Sequence, residues 1–308
     1  MTASATTDAG SEDEQTSASE IEEPRRQALD LRLALNAVSD IVENRPRPIR
    51  EFDQIYMKVG DMMVHAEYIC RKTHGRSLVF VGDGDAIGLC IAHLQAQKIL
   101  NWGPSRILLL DFDERMVNSV NRFAEANDLT DRISARLYNV LDALPDDLLG
   151  QFGAFHINPP WGQYNDGESV VVFMERGIQL LAPKGKGVIV IGDDPARPWT
   201  RHVLARTQGE ALNRGMVVCE MQPRMHLYHL DDASDLTSCA LSIEAWTDHN
   251  IKNEPTPGER RKNFYGRKDR AAAVRYVRET PQIGRGTADP TEYHFEIMEE
   301  EVENEQSA

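Results

Sequence analysis

The sequence predicts an α/β fold: a doubly wound, mostly parallel, seven-stranded sheet with an antiparallel closing strand. Three observations support it. A buried apolar strand at 77–81 runs into a glycine-rich turn at 82–88, and the next strand, 106–110, ends in the acid Asp111. Apolar strands then alternate with helical patterns as far as residue 191. Alternation of this kind implies parallel strands whose ligands bind at the carboxyl ends.

Two helical patterns precede the sheet. Apolar residues at helical spacing cover 25–43 and stop at Arg45-Pro46-Arg47-Pro48, which predicts an N-terminal helix and linker over 25–50. A second pattern predicts a helix over 53–72, the first element of a catalytic domain spanning 51–248. The N-terminal helix could serve as the interface helix of a homodimer.

The remaining elements follow in chain order. After the first two strands, the predicted elements are a strand at 133–138, a strand at 154–157, a helix at 170–181, a strand at 188–191 and an antiparallel pair at 216–221 and 238–246. The last pair closes the sheet.

The tetrapeptide Asn158-Pro159-Pro160-Trp161 directly follows the fourth strand. Its two prolines fix φ and donate no N–H, so the turn is stiff. The Asn158 side-chain oxygen and the Pro159 carbonyl can both accept from one amino group, while Trp161 offers an apolar or cation-binding face. Enzymes that alkylate a nitrogen with an S-adenosylmethionine-type cofactor place such a turn under the accepting amine. We therefore predict Asn158, Pro159 and Trp161 as catalytic residues and Pro160 as a substrate contact.

Polar residues at the ends of the first three strands predict a nucleoside site. The glycines allow close approach of the backbone, and an acid ending the second strand can accept from both ribose hydroxyls. The predicted cofactor-binding residues are Gly82, Asp83, Gly84, Asp85, Asp111, Asp113 and Asn139. The expected co-substrate is S-adenosylmethionine or its decarboxylated form. The four cysteines lack CxxC spacing, which predicts buried, reduced thiols and no metal site.

Polar side chains beyond the fourth strand are candidates for binding a small-molecule amine acceptor, most simply a polyamine. The predicted substrate contacts are Tyr164, Asp166, Glu168, Asp194 and Tyr228. His156 is expected to pack in the core, and His226 is a weaker candidate to face the acceptor.

The net charge of −15 belongs to the two ends of the chain. Residues 1–24 carry seven acids and residues 289–308 carry eight, with no Lys or Arg in either, so both are predicted to be disordered acidic tails. A basic segment at 249–288 has its charge concentrated in 259–278, where aromatic residues are interleaved. It is either a nucleic-acid contact or, as we favour, a solvated segment paired with the tails. With no signal peptide or membrane-length apolar run visible, we expect no membrane partner and a cytoplasmic protein.

Several of these residues also resemble the branched-chain polyamine synthases. Gly82-Asp83-Gly84-Asp85 looks like that family's Gly-Asp-Asp-Asp loop, and Asp111-Phe112-Asp113-Glu114-Arg115 is very close to its Asp-Ile-Asp-Glu-Arg. Residues 173–178 are similar to its Phe-x-x-Arg-Gly-Ile helix, and 236–238 and 242–244 to its closing strands. The resemblance covers about residues 54–244. It implies a Rossmann-like, class I methyltransferase-like fold and a transferase that builds N4-bis(aminopropyl)spermidine from decarboxylated S-adenosylmethionine.

Two departures from that family leave three functions open. The family has Gly-Asp-Pro-Pro where this chain has Ile157-Asn158-Pro159-Pro160, and where the family has an N-terminal winged-helix region we expect only one or two helices in this sequence. Asp83 and Asp85 favour the ammonium of the aminopropyl donor over the carboxylate of the methyl donor. Asn158 instead suits a neutral amine such as adenine N6, as in an N-methyltransferase. Loss of the family's catalytic Asp also admits a non-catalytic, nucleoside-binding relative.

Overall fold

The computed structural model describes residue 24, residues 28–280 and residues 292–298. Its central sheet has seven strands, in the order β3-β2-β1-β4-β5-β7-β6. Their bounds are β1 Ser77–Val81, β2 Arg106–Asp111, β3 Ile133–Leu137, β4 Phe152–Ile157, β5 Leu181–Gly192, β6 Met216–Leu227 and β7 Thr237–Ala245. β7 runs antiparallel to both β5 and β6, while β1 to β5 pair in parallel. The predicted doubly wound sheet with an antiparallel closing strand is confirmed.

Within the described residues, six α-helices cover the two faces of this sheet. Their bounds are α1 Leu31–Asn44, α2 Val59–Lys72, α3 Ile87–Ala96, α4 Glu114–Ala126, α5 Glu168–Leu180 and α6 Pro198–Asn213. Because side chains alternate along a strand, Leu78 and Phe80 of β1 pack with α1 to α4, whereas Val79 and Val81 pack with α5 and α6. Two apolar cores, one on each face of the sheet, therefore hold the strands so that their carboxyl ends lie along one edge.

The helix predicted at 53–72 begins six residues later, at Val59. The preceding segment is extended instead: Met57 forms a bridge with Tyr228, and the Lys58 N–H donates to the Leu227 carbonyl at 2.9 Å. The Met57 N–H also donates to Asp85 at 2.7 Å. These long-range bonds satisfy backbone groups that a helix would otherwise use, and they bring this segment to the strand ends.

The basic segment packs onto the domain through its apolar side chains, while most of its basic side chains stay exposed and Arg278 pairs with Glu296 of the predicted tail at 2.6 Å. A 3₁₀ turn at Gly258–Arg261 leads through Phe264, which is fully buried, to strand β8, Val274–Glu279. The Val277 N–H donates to the Phe112 carbonyl at 3.1 Å, directly beyond β2. The interleaved aromatic residues explain this docking, because Phe264 and Tyr265 are buried while the basic side chains between the aromatic residues remain in solvent.

Part of the predicted acidic tail 289–308 forms a strand, β9 Tyr293–Ile297, antiparallel to β8. Its alternating aromatic residues Tyr293 and Phe295 account for it: the Phe295 ring lies 5.3 Å edge-on from Phe52, and the Arg115 guanidinium lies 4.5 Å over the Tyr293 ring. The prediction of a disordered tail rested on the number of acidic residues and overlooked these alternating aromatic side chains. The predicted tail at 1–24, apart from residue 24, and residues 289–291 and 299–308 lie outside the described residues.

We expect a chain that ends at Thr280 to melt several degrees below a chain that ends at Met298. The shorter chain loses the β8–β9 ladder and the aromatic contacts of Phe295, whereas the longer chain keeps every described contact of that strand. One to three kcal/mol of lost packing corresponds to roughly 2–10 °C in a domain of this size. Thermal unfolding followed by circular dichroism tests this, and equal melting temperatures would contradict it.

Two smaller findings concern composition. Cys70, Cys90 and Cys239 are buried as predicted, but Cys219 is exposed on β6, the edge strand of the sheet. Among the described residues, no helix has both the length and the apolar character needed to cross a membrane.

Candidate active site

A cleft of about 410 Å³ lies at the carboxyl ends of β1, β2 and β4. Most of the residues predicted for catalysis and cofactor binding line it. They are Gly82, Asp83, Gly84, Asp85, Asp111, Asn139, Asn158, Pro159, Pro160 and Trp161, together with the predicted substrate contact Tyr228. Parallel strands explain the convergence, since their carboxyl ends share one edge.

The loop after β1 is held by its own acid. Both Asp83 oxygens accept from the first backbone N–H groups of α3, from Ile87 at 2.9 Å and from Gly88 at 2.7 Å. The preceding Gly82 has φ +73°, and an added Cβ there would approach the Phe173 ring at 3.2 Å. Burial raises the pKa of Asp83 to about 8, an effect that its two N–H donors only partly offset. Asp83 therefore caps a helix and faces the cleft as a desolvated acid.

Asp111 joins this loop to the end of β2. Its Oδ2 accepts from the Asp83 N–H at 3.1 Å and its Oδ1 from the Asp113 N–H at 2.9 Å. Burial, followed by the charge of Asp113, raises the pKa of Asp111 to about 6. A carboxylate held in this way has lone pairs left for the two hydroxyls of a ribose.

Asp85 and Asn158 connect the glycine-rich loop after β1 to the Asn-Pro-Pro-Trp turn after β4. Asp85 Oδ2 accepts from Asn158 Nδ2 at 3.1 Å, and Asp85 Oδ1 lies 3.6 Å from the Arg45 guanidinium. Burial raises the pKa of Asp85 to about 6, although Arg45 lowers it. The bond fixes the amide of Asn158 with its nitrogen toward Asp85, so its carbonyl oxygen is the atom left to accept from a ligand amine.

Aromatic rings form the far end of the cleft. The Trp161 ring lies 5.5 Å from Tyr228, edge-on at 77°, and 6.4 Å from Trp199. Asp232 and Arg197 also line this end. Indole and phenol rings beside a carboxylate suit an organic cation with an apolar chain.

Five predicted site residues lie outside the cleft lining: four are acids paired with basic side chains, and the fifth, Tyr164, is exposed. Asp113 pairs with Arg115 at 2.6 Å, Asp194 pairs with Arg197, and Glu168 pairs with Arg206 and Arg260. Asp166 pairs on the exposed surface with His202 at 2.7 Å, and the Tyr164 side chain is 45% exposed. Asn139 does line the cleft, but its amide donates to the Arg275 carbonyl at 2.6 Å and accepts from the Leu141 N–H at 2.9 Å.

Several lining residues were missed in the sequence. They include Asp53, Tyr56, Phe112, Phe173, Trp199 and Tyr265. Tyr265 carried a signal, since it belongs to the aromatic residues interleaved with the basic charges. Its ring stacks on Phe112 at 5.7 Å, with 17° between the planes. Among the described residues, no cluster of three or more His, Cys, Asp or Glu side chains could hold a metal ion.

We expect Asp83→Asn to flatten the pH dependence of stability between pH 6.5 and 8. The pKa of Asp83 is raised to about 8 in the folded protein from its ordinary value of 3.8. The folded state therefore holds a proton that the unfolded state has released, and stability falls as the pH rises through this window. The buried histidines, whose pKa values are lowered, act in the opposite direction only below about pH 6.5. Melting temperatures at constant ionic strength test this, and parallel curves for the two proteins would refute it.

Comparisons with known proteins agree with this geometry. Residues 34–290 match the family described as the branched-chain polyamine synthase A C-terminal domain. The N(4)-bis(aminopropyl)spermidine synthase of Thermus thermophilus is 26% identical over 193 residues, which cover 60% of this chain and 50% of that protein. The synthase of the same name from Thermococcus kodakarensis is 26% identical over 155 residues, covering 50% and 40%. The chain thus spans half or less of the length of these curated relatives.

A solved structure shares the fold. The branched-chain polyamine synthase of Thermus thermophilus, in complex with N4-aminopropylspermidine and 5′-methylthioadenosine, superposes with a TM-score of 0.61 at 21% identity. The match covers 74% of this chain and 67% of that one.

Proposed function

The chain belongs to the branched-chain polyamine synthase family, and from that premise we propose that it transfers an aminopropyl group from decarboxylated S-adenosylmethionine to a polyamine nitrogen. The observation that carries the proposal is that one cleft combines residues suited to a nucleoside with residues suited to an amine. Asp83 and Asp111 form a nucleoside end, and Asn158 with the three aromatic rings forms an amine end.

The charge of the cleft supports a cationic donor. Five acidic side chains line it, those of Asp53, Asp83, Asp85, Asp111 and Asp232, against the guanidinium groups of Arg50 and Arg197. The pKa of Asp83, about 8, keeps that one acid protonated in the empty cleft, and a bound cation would ionise it. The aminopropyl donor carries a sulfonium and an ammonium. The methyl donor carries in addition a carboxylate, which such a lining would repel by a few kcal/mol at an effective dielectric near ~20.

The proposed reaction is a displacement at carbon. The lone pair of the acceptor nitrogen attacks the carbon next to the sulfonium, so a C–N bond forms as the C–S bond breaks. 5′-Methylthioadenosine leaves as a neutral thioether, and the product amine carries the positive charge until it loses a proton. Catalysis then rests on alignment, which the stiff Pro159-Pro160 turn provides by holding the Asn158 oxygen and the Pro159 carbonyl for the attacking N–H.

A second candidate function rests on Asn158 itself. An amide cannot remove a proton from an ammonium, so this residue alone suits an acceptor that is already neutral. An S-adenosylmethionine-dependent N-methyltransferase acting on an amino group such as adenine N6 would meet that condition. The carboxylate of Asp85 directly behind Asn158 favours the polyamine reaction, because it restores a negative charge one hydrogen bond away.

Mass analysis of products tests the proposal. The protein is incubated with spermidine or spermine and either donor, and separately with each donor and a DNA or RNA oligonucleotide. We expect spermidine enlarged by one or two aminopropyl groups, with 5′-methylthioadenosine formed in equal number. Methylated product would support the second candidate, and no product with any pair would support a non-catalytic relative. Asp111→Ala, verified as folded, controls for a contaminating enzyme because it should abolish product formation.

A further inference from the structure

Three buried histidines from three different elements meet behind the cleft. His65 of α2, His156 of β4 and His226 of β6 are each 0% exposed. His65 Nε2 lies 2.9 Å from His156 Nε2, and His65 Nδ1 lies 3.0 Å from His226 Nε2. Both nitrogens of the central ring are thus used within the cluster, which forms a linear chain rather than a metal-binding triangle.

The chain continues to the cleft through two hydroxyls. His226 Nδ1 lies 2.8 Å from Ser238 Oγ, which lies 2.6 Å from the Tyr228 hydroxyl. Tyr228 lines the amine end of the cleft and packs edge-on against Trp161. Four consecutive hydrogen bonds therefore connect the deepest ring, His156, to a side chain that a ligand can touch.

Because the histidine rings are neutral, the hydrogen bonds of this chain can be arranged in only two ways. Burial lowers the pKa of His156 and His226 to about 3 and that of His65 well below its ordinary value, so each ring carries one hydrogen. One hydrogen per ring leaves two choices for the three bonds that the rings make: all point toward Ser238, or all point toward His156. In the first case Ser238 accepts from His226, and the Tyr228 oxygen at 2.6 Å is the partner for its own hydroxyl hydrogen. For the same reason the chain is a poor proton acceptor, since an extra proton would create a buried imidazolium.

The unpartnered end of the chain selects the direction. His156 Nδ1 is buried and makes no hydrogen bond in the described structure. If the bonds pointed toward His156, that nitrogen would carry an orphaned N–H. If they point toward Tyr228, it carries only an unused lone pair, and buried orphan donors are the rarer of the two defects in proteins.

We propose that His65, His156 and His226 form a neutral hydrogen-bond chain, directed from His156 toward the cleft, that positions Tyr228 at the amine end. His156 then bears its hydrogen on Nε2, while His65 and His226 bear theirs on Nδ1. Ser238 donates to Tyr228, whose own hydroxyl hydrogen is the one not used in the chain. That hydrogen can bind a lone pair, which an unprotonated amine has and an ammonium lacks. Tyr228 would therefore select the unprotonated, reactive form of the acceptor amine. This part of the inference rests on the proposed function.

Nitrogen chemical shifts test the direction without any reaction. Long-range proton–nitrogen NMR correlations on histidine-labelled protein distinguish ring nitrogens with and without hydrogen. We expect the Nε2–H tautomer for His156 and the Nδ1–H tautomer for His65 and His226. The opposite tautomers, or an imidazolium in any of the three rings at pH 7, would overturn the proposal.

Two variants of one residue test the positioning of Tyr228. In His226→Asn the amide nitrogen replaces Nδ1 and can still donate to Ser238, whereas in His226→Gln the amide lies at the level of Nε2 and cannot. We expect His226→Gln to shift the Trp161 indole resonance and to raise the spermidine KM about two- to tenfold, with His226→Asn closer to the unchanged protein. The affinity for 5′-methylthioadenosine should stay the same in both, which confirms folding.

The NMR measurements and the kinetics distinguish a failure of this inference from a failure of the proposed function. If the unchanged protein transfers no aminopropyl group, the proposed function fails, while the tautomers and the Trp161 resonance still decide whether the chain positions Tyr228. If both variants affect Trp161 and KM equally, or neither does, the positioning role is wrong.

Discussion

Decarboxylated S-adenosylmethionine is expected to bind at least about tenfold more tightly than S-adenosylmethionine itself. Both donors offer the same ribose to Asp111, so the difference arises at the tail of the donor. Asp83 and Asp85 stand in the loop after β1, and only Asp85 has a guanidinium close by, that of Arg45 at 3.6 Å. The ammonium of the decarboxylated donor can ionise Asp83 and pair with it, whereas the carboxylate of S-adenosylmethionine keeps Asp83 protonated and meets the charge of Asp85. Each 1.4 kcal/mol of this difference corresponds to a factor of ten in affinity.

Calorimetric titration with three ligands measures this preference. 5′-Methylthioadenosine, which carries neither ammonium nor carboxylate, sets the baseline for the nucleoside end. A cationic donor should also release protons on binding, because the pKa of Asp83 is about 8 in the empty cleft and a nearby positive charge lowers it. Repeating the titration in buffers of different ionisation enthalpy gives the number of protons released.

A matched variant decides whether the loop charge is responsible. Asp85→Asn keeps an acceptor for the Met57 N–H but removes one charge, so it should reduce the ratio of the two affinities and leave 5′-methylthioadenosine binding nearly unchanged. If S-adenosylmethionine binds more tightly to the unchanged protein, the aminopropyl assignment fails and the N-methyltransferase takes its place.

The parts of the site that the sequence predicts are those that depend on local structure. Gly82, Asp111 and Asn158 each follow directly from the end of an apolar strand, and parallel strands bring such ends together whatever the rest of the chain does. The seven-stranded sheet was predictable for the same reason, since strand alternation and helical spacing repeat along the chain.

The parts that the sequence does not predict depend on contacts between distant residues. Asp194 and Glu168 are acids in the right region, but whether an acid is free or neutralised depends on the placement of Arg197, Arg206 and Arg260. His65 and His226 are 161 positions apart, and their contact depends on the packing of α2 against β6 beside the bridge between Met57 and Tyr228. Partner choice of this kind is a property of the tertiary structure, so composition and spacing carry little information about it.

Replacing Asn158 by Asp is the change expected to alter activity most. In a polyamine synthase a carboxylate at this position can pair with the acceptor ammonium and take up its proton, so kcat/KM for spermidine should be preserved or should rise, by up to about a hundredfold. It would also stand against Asp85, now 3.1 Å from the Asn158 amide, and two carboxylates in contact share one proton. In an enzyme that methylates a neutral amine, the added charge should lower the rate instead.

The double variant Asn158→Asp with Asp85→Asn separates charge from position. It exchanges the two side chains, keeps the net charge, and allows the new amide to donate to the new carboxylate across the same contact. If the acceptor needs a carboxylate beside the Pro159-Pro160 turn, the double variant should be at least as active with spermidine as the single variant, because its carboxylate is fully ionised. If activity depends on the charge of Asp85 acting through Asn158, the double variant should lose it. Steady-state kinetics with each donor measure both, and rates unaffected by either change would mean that the turn does not hold the acceptor and would favour the non-catalytic relative.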